Sequence, residues 1–345
     1  MTMFTRRWRM AMVLTAAAVG AAACGGKAKD AAGGTKALTI AVVPKGTTHE
    51  FWKAIHAGAV QAGEELAAAG DTVKLIWKGP LREDDREQQV QVVEGFISQR
   101  VDGIVLAPLD SRALARPVEE AKSAGVPTVI IDSGLETDAI VSYVATDNTK
   151  GGELAADRLG ELLAGKGKVL VLRLQEGSAS TTAREDGFLA RLAAKYPGVT
   201  VVSSNQYAGA TRETAKQAAE NLLNRFGSDL QGIFTPNESS TIGMLLALQD
   251  IGKAGKIRFI GFDATQTLLD AMKAGQLDGI AVQNPMRMGY LGVKTMVANL
   301  RQQPFEKRID TGVTMVTPES MDKPETQEII HPPIDKYLKS PAPGT

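Results

Sequence analysis

Cysteine, histidine and aromatic residues are scarce in this 345-residue chain, with one Cys, three His and 5% Phe, Trp and Tyr. A single cysteine excludes an internal disulfide. Charge of one sign is missing as well. The formal net charge is zero, so no strong basic field argues for nucleic acid as a partner. His49 and His56 stand about two helical turns apart, a poor spacing for two zinc ligands, and no metal or cofactor is expected. Long apolar runs are also absent. The uncharged stretch "MAMVLTAAAVGAAA" at 10–23 falls short of the ~20 residues that a membrane-spanning helix needs.

That short stretch has a different meaning. Arg6, Arg7 and Arg9 precede it and small residues end it, the pattern of an export signal over 1–23. The Arg6–Arg7 pair hints at twin-arginine export. "AAAC" at 21–24 resembles the bacterial lipoprotein cleavage box, with Ala21 where Leu is usual, so Cys24 is expected to be lipidated. Residues 24–37 are small and polar, a flexible tether. The folded part is then expected from Leu38, exported and held to a membrane through the lipid alone.

The rest is ordinary globular composition, 43% hydrophobic and 23% charged, and long enough for two domains. Continuous apolar runs recur roughly every thirty residues, among them "ALTIAVV", "DGIVLAP", "PTVIID", "KVLVLRL", "IRFIGFD" and "DGIAVQN". Continuity, rather than alternation, marks strands buried on both faces. Between them lie Ala-, Leu- and Glu-rich stretches of helical period, several ending in Gly. Alternating strand and helix predicts a parallel, doubly wound α/β sheet. Ten or so strands are many for one open sheet, so two lobes are expected.

In such sheets, ligands bind beyond the carboxyl ends of the strands. The residues found there are polar: His49 with the rings of Phe51 and Trp52 after the first run, then Asp132, Arg184, Asn237, Asp263 and Gln283. Carboxylates accept hydroxyl hydrogens, Arg donates in a planar fork, and amides do both, a set suited to a polyhydroxylated ligand. The aromatic faces would cover the C–H patches of a sugar ring. Thr47 and Glu50 fit a capping box that would start the first helix and fix those rings. Singly, each residue has a plainer reading. A strand-end Asp is often a helix cap, Trp52 is often core, and Arg184 could be a helix-face ion pair. The weight lies in their coincidence on one edge.

At these residues the chain resembles the periplasmic sugar-binding proteins of the ribose-binding type. The signatures are "VDGIVLAPLDSRAL", "AGVPTVIIDSG", "ATDNTKGGELAADRL", "STTAREDGF", "GIFTPNE" and "IGFDATQ". The resemblance implies two Rossmann-like lobes joined by three hinge crossings, near Ala145–Asp147, Val282–Pro285 and Gly312–Thr314. One lobe would hold 38–145 plus 285–312, the other 146–284 plus 313–317, with a tail over 318–345 packed on the surface. It also implies a monomer, not an enzyme, that delivers a sugar or polyol to an ABC permease. The family's ligand residues fall on His49, Phe51, Trp52, Asp132, Arg184, Asn237, Asp263 and Gln283. Ser133 stands where ribose binders carry Arg, and His49 where they carry Asn. A hexose, a modified sugar, a polyol or a small non-sugar signal therefore stays open.

Three other readings are weaker. A gene regulator of the same fold needs an N-terminal helix-turn-helix, and an apolar export segment stands there instead. For an enzyme, "GELLAGKG" lacks the Ser or Thr of a phosphate loop and "EGSASTT" lacks the closing Gly of a nucleophile elbow. A sensory receptor would use the same binding module to signal to a chemotaxis or kinase partner.

Overall fold

The computed structural model describes residues 37–338. The expected signal segment, Cys24 and most of the tether lie outside the described residues. The first sheet is built from β1 (Leu38–Val43), β2 (Val73–Trp77), β3 (Gly103–Leu106), β4 (Thr128–Ile131) and β5 (Ser142–Ala145). They alternate with α1 (Glu50–Ala68), α2 (Arg86–Ser98) and α3 (Ala115–Ser123). The chain then runs through α4 (Asn148–Leu162), β6 (Lys166–Arg173), α5 (Ala179–Lys195), β7 (Gly198–Tyr207), α6 (Arg212–Phe226) and β8 (Gly232–Phe234). It continues through α7 (Glu238–Asp250), β9 (Arg258–Phe262), α8 (Gln266–Lys273) and β10 (Gly279–Gln283). Last come α9 (Pro285–Leu300), β11 (Arg308–Asp310), β12 (Val313–Val316), α10 (Pro324–Ile330) and α11 (Ile334–Tyr337).

Two six-stranded sheets result, ordered β11-β5-β4-β3-β1-β2 and β12-β10-β9-β8-β6-β7. The second repeats the strand order of the first. All pairings are parallel except β10 with β12. The result is two α/β lobes, as the alternation of strand and helix predicts. Continuous apolar strands are explained by burial on both faces. Ile40 and Val42 of β1 enter one core while Ala41 and Val43 enter the core on the other side. Leu170 and Leu172 of β6 divide from Val169 and Val171 in the same way. β11 was not among the expected strands, because its three residues are largely polar and none is fully buried.

Close helix contacts hold each lobe. A Cβ added at Gly58 of α1 would overlap the Met286 carbonyl oxygen, and one at Gly289 of α9 would overlap that of Ile55. In the second lobe, Gly152 of α4 meets the Arg184 carbonyl oxygen in the same manner, which fixes where α5 presents Arg184. The tail, mostly exposed or half-buried, packs over the lobes and sets a few anchors inward. Met321 and Ile330 are buried in the core of the second lobe. Beyond them α11 packs on α1 of the first lobe, so the tail touches both. Its apolar anchors are widely spaced among polar residues, which hid them.

Gly58→Ala or Gly289→Ala should force α1 and α9 apart and destabilise the protein by about 2 kcal/mol or more. Differential scanning calorimetry would read this as a loss of several degrees in Tm. A change under about one degree in both variants would contradict the close-contact account.

Candidate functional site

The carboxyl ends of both sheets face each other, and their loops enclose a cavity of about 20 Å³. Lys45, His49, Phe51, Trp52, Glu83 and Asp132 line it from the first lobe. Ser180, Thr181, Arg184, Asn237, Glu238, Asp263 and Gln283 line it from the other side, with Leu174. The expected residues therefore meet, with one exception. Ser133 sits at the lobe contact instead, where its Oγ accepts from the Ser180 N–H at 3.0 Å.

The two aspartates hold special backbone. Asp132 and Asp263 end the equivalent strands β4 and β9 with φ of 63° and 66°. Left-handed backbone is costly for residues with a side chain, though Asp tolerates it better than most. Neither aspartate occupies the N-cap position of a helix: Thr265 caps α8, accepting from the Leu268 N–H, and Asp132 leads to a strand. Asn237 does both things. It caps α7 through the Ser240 N–H and also lines the cavity.

Buried charges in the cavity are paired. Lys45 Nζ lies 2.8 Å from Asp132 Oδ2, and it donates to Ser180 Oγ across the cleft at 3.0 Å. His49 Nδ1 meets Glu83 Oε1 at 2.7 Å, and Trp52 Nε1 donates to the same oxygen at 2.6 Å. Trp52 is otherwise core, edge-on to Phe51, with its ring centroid 5.0 Å away. Arg184 donates to Asn148 Oδ1 at 2.8 Å and to the Pro236 carbonyl at 2.9 Å, and its guanidinium rests 4.1 Å over the Phe262 ring. Asp263 accepts from the Glu238 N–H at 3.0 Å and from Gln283 Nε2 at 2.7 Å. The other amide atom, Gln283 Oε1, is buried with no hydrogen-bond partner among the described residues.

The expected capping box at Thr47 and Glu50 does not form. His49 is the N-cap of α1, with extended backbone and no capping side-chain bond, because its ring is turned to Glu83. The first-turn donor is satisfied from the other lobe: Glu238 Oε2 accepts from the Phe51 N–H at 3.3 Å. Further bonds cross the cleft. Gln175 Nε2 donates to the Glu83 carbonyl at 2.8 Å, and the Ser111 N–H to the Gly177 carbonyl at 3.0 Å. The lobes are thus closed on each other. Lys45, Glu83, Ser180, Thr181 and Glu238 were missed from the sequence. Lys45 lies in the loop after β1, and Glu238 opens α7 next to Asn237; both were open to the same rule that found their neighbours. Glu83 lies in the charged run "REDDRE", where nothing marks which acid turns inward.

Burial lowers the His49 pKa, but the adjacent Glu83 carboxylate outweighs it and lifts the value from 6.5 to about 9. Burial raises that of Glu83, yet His49, Lys45 and the Trp52 N–H hold it down at about 2. Burial pushes Asp263 up to about 6 against the pull of Arg184 and Gln283. The sign for His49 follows from its raised value. Its stabilising pair is fully present below pH 6.5 and is lost as pH rises through about 9. Wild type should therefore lose stability on the order of 3 kcal/mol over that window that a His49→Gln variant does not lose. Melting curves of both proteins across the window test this; parallel curves would contradict a protonated His49.

Comparison with known proteins bears on what the site holds. The sequence profile of the periplasmic binding protein domain matches residues 40–304. The D-ribose/D-allose-binding protein of Pseudomonas aeruginosa is 30% identical over 291 residues, covering 81% of this chain and 88% of its own. A carbohydrate transporter solute binding protein from Agrobacterium radiobacter, solved with D-arabinose, superposes with a TM-score of 0.81 at 33% identity, over 86% of this chain and 99% of that one. An ABC transporter solute binding protein from Agrobacterium vitis, solved with D-fucose, gives 0.80 at 36% identity, over 85% and 100%. With the profile matched over most of this chain, the chain belongs to the periplasmic binding protein domain family.

Proposed function

We propose that this protein is an exported solute-binding protein that captures a neutral sugar or polyol between its lobes and delivers it to an ABC import permease. The ligand residues of this reading are His49, Phe51, Trp52, Asp132, Arg184, Asn237, Asp263 and Gln283, joined by Lys45 and Glu83. Ser133 acts at the lobe contact. Cys24 carries the lipid that holds the protein to the membrane, and the protein works as a monomer.

The observation that carries the reading is the charge balance of the cleft. Lys45 is matched by Asp132 and His49 by Glu83, Arg184 faces the field of Asp263, and the Glu238 carboxylate is met by Arg212 at 2.6 Å. A cleft so balanced favours a neutral ligand rich in hydroxyls, because an added charge would be left unpaired in a buried site. Gln283 Oε1, an acceptor without a donor, suits a ligand hydroxyl. The named ligands of the relatives above are neutral monosaccharides as well.

Closure follows from the same groups. The closed cavity holds about one water, so a polyol enters only when the lobes part or Lys45 withdraws from Ser180. A ligand that bonds both faces then stabilises the closed form by its differential affinity. Water is excluded, and each hydrogen bond strengthens.

A thermal-shift screen over pentoses, hexoses and polyols should find a ligand. Saturation at about 100 times its Kd adds ~2.7 kcal/mol of stability. With that ligand, titration calorimetry on Asp263→Asn and Arg184→Ala should show a loss of at least about tenfold in affinity. Asn accepts the left-handed backbone of Asp263 but removes the charge facing Arg184, so melting curves accompany the titration and show that each variant is folded where its affinity is read. No shift with any sugar, or unchanged affinity in both variants, would overturn the reading.

A further inference from the structure

A second, larger cavity adjoins the first. It measures about 380 Å³, and Phe51, Asp263 and Gln283 line both. Its remaining walls come from the start of α1, the start of α8, the hinge residue Pro285 and the tail. The tail residues lie beyond the part of the chain that matches the family profile, which ends at 304. Ile330 anchors this wall in the core of the second lobe, and α11 holds its far end on α1. The annex is therefore walled by both lobes and the tail together.

The lining has a definite chemistry. Leu269, Ile330 and Pro332 supply apolar surface, and charged side chains such as Glu50 and Lys53 stand exposed at the edge. Apolar walls with a polar rim fit a ring that has C–H faces and a polar edge. Phe51, partly exposed, lines both cavities. Gln283 Oε1, buried and unpartnered, belongs to the same junction. A hydroxyl or bridging group passing from one cavity to the other would run beside it.

Resting on the sugar-binding reading above, we propose that the site takes an O-glycoside, with its sugar head in the polar cavity and a second, ring-sized group in the tail-walled annex. The head is held by the paired charges and the aspartates. The second group gains affinity from apolar burial and from contact with both lobes and the tail, which also favours closure.

Calorimetry on the full chain tests this with D-xylose, D-glucose, D-galactose and D-fucose, each beside its p-nitrophenyl α- and β-glycosides. At least one glycoside should bind about tenfold or more tightly than its parent sugar. Pro332→Trp, at a partly exposed tail position, fills the annex. It should abolish that gain and leave the parent's affinity within about twofold. Wild-type melting behaviour of the variant confirms that it folds, and Lys53→Trp at the opposite, exposed edge provides a second filling variant. Parent sugars that bind with no glycoside gain, or a gain that survives both variants, overturn this inference alone. Binding of neither sugars nor glycosides overturns it together with the sugar-binding reading.

Discussion

Buried charge in the cleft must be matched, and the rest of the structure depends on that constraint. Lys45 and His49, from the loop between β1 and α1, and Arg184 of α5 are drawn into a space largely removed from water. Unpaired, any one of them would cost several kcal/mol. Asp132 and Glu83 answer the first two within their own lobe. The third is held by an amide, a carbonyl and the face of Phe262, with the field of Asp263 nearby. The lobes can therefore meet without trapping an uncompensated charge. The bonds that cross between them, such as Lys45 to Ser180 and the Phe51 N–H to Glu238, add to groups already balanced.

The repeated strand order explains why the two aspartates matter together. Asp132 and Asp263 leave equivalent strands of the two sheets in the same left-handed conformation. Backbone of this kind persists only where the surroundings over-determine it, and it clusters at binding sites. Here each carboxylate is turned into the cleft, one from each lobe, and each is gripped by a neighbour. The close approach of α4 and α5 at Gly152 sets Arg184 between them in the same way. Rigid helix packing, rather than loop adjustment, positions the cation.

Much of this was legible because the physics is local. Apolar runs and helical period identified β1 to β10, most of them buried on both faces with β2 and β7 as part-buried edges, and the rule that ligands sit beyond strand ends found His49, Asp132, Arg184 and Asp263. Where the reading failed, the cause was tertiary. Thr47 and Glu50 have a capping pattern, but the first-turn amide of α1 finds its acceptor in the other lobe, which no local window contains. Glu83 is one of several acids in a polar loop, and only the approach of His49 and Trp52 selects it. Ser133 adjoins a cleft residue yet bonds the opposing backbone, since the side chains of neighbours after a strand diverge. The anchors of the tail, Met321 and Ile330, went unseen because they are too far apart to make a period.

Closure on a ligand is the claim on which the functional account stands, and a distance across the cleft tests it most directly. Spin labels at the exposed positions Lys122 of α3 and Asn224 of α6, in a chain carrying Cys24→Ser, report on opposite lobes. Pulsed electron–electron resonance should show a broad or longer distance without sugar. At saturation with a sugar that binds, it should show a single shorter distance. The same distance distribution with and without a bound sugar would contradict capture by closure.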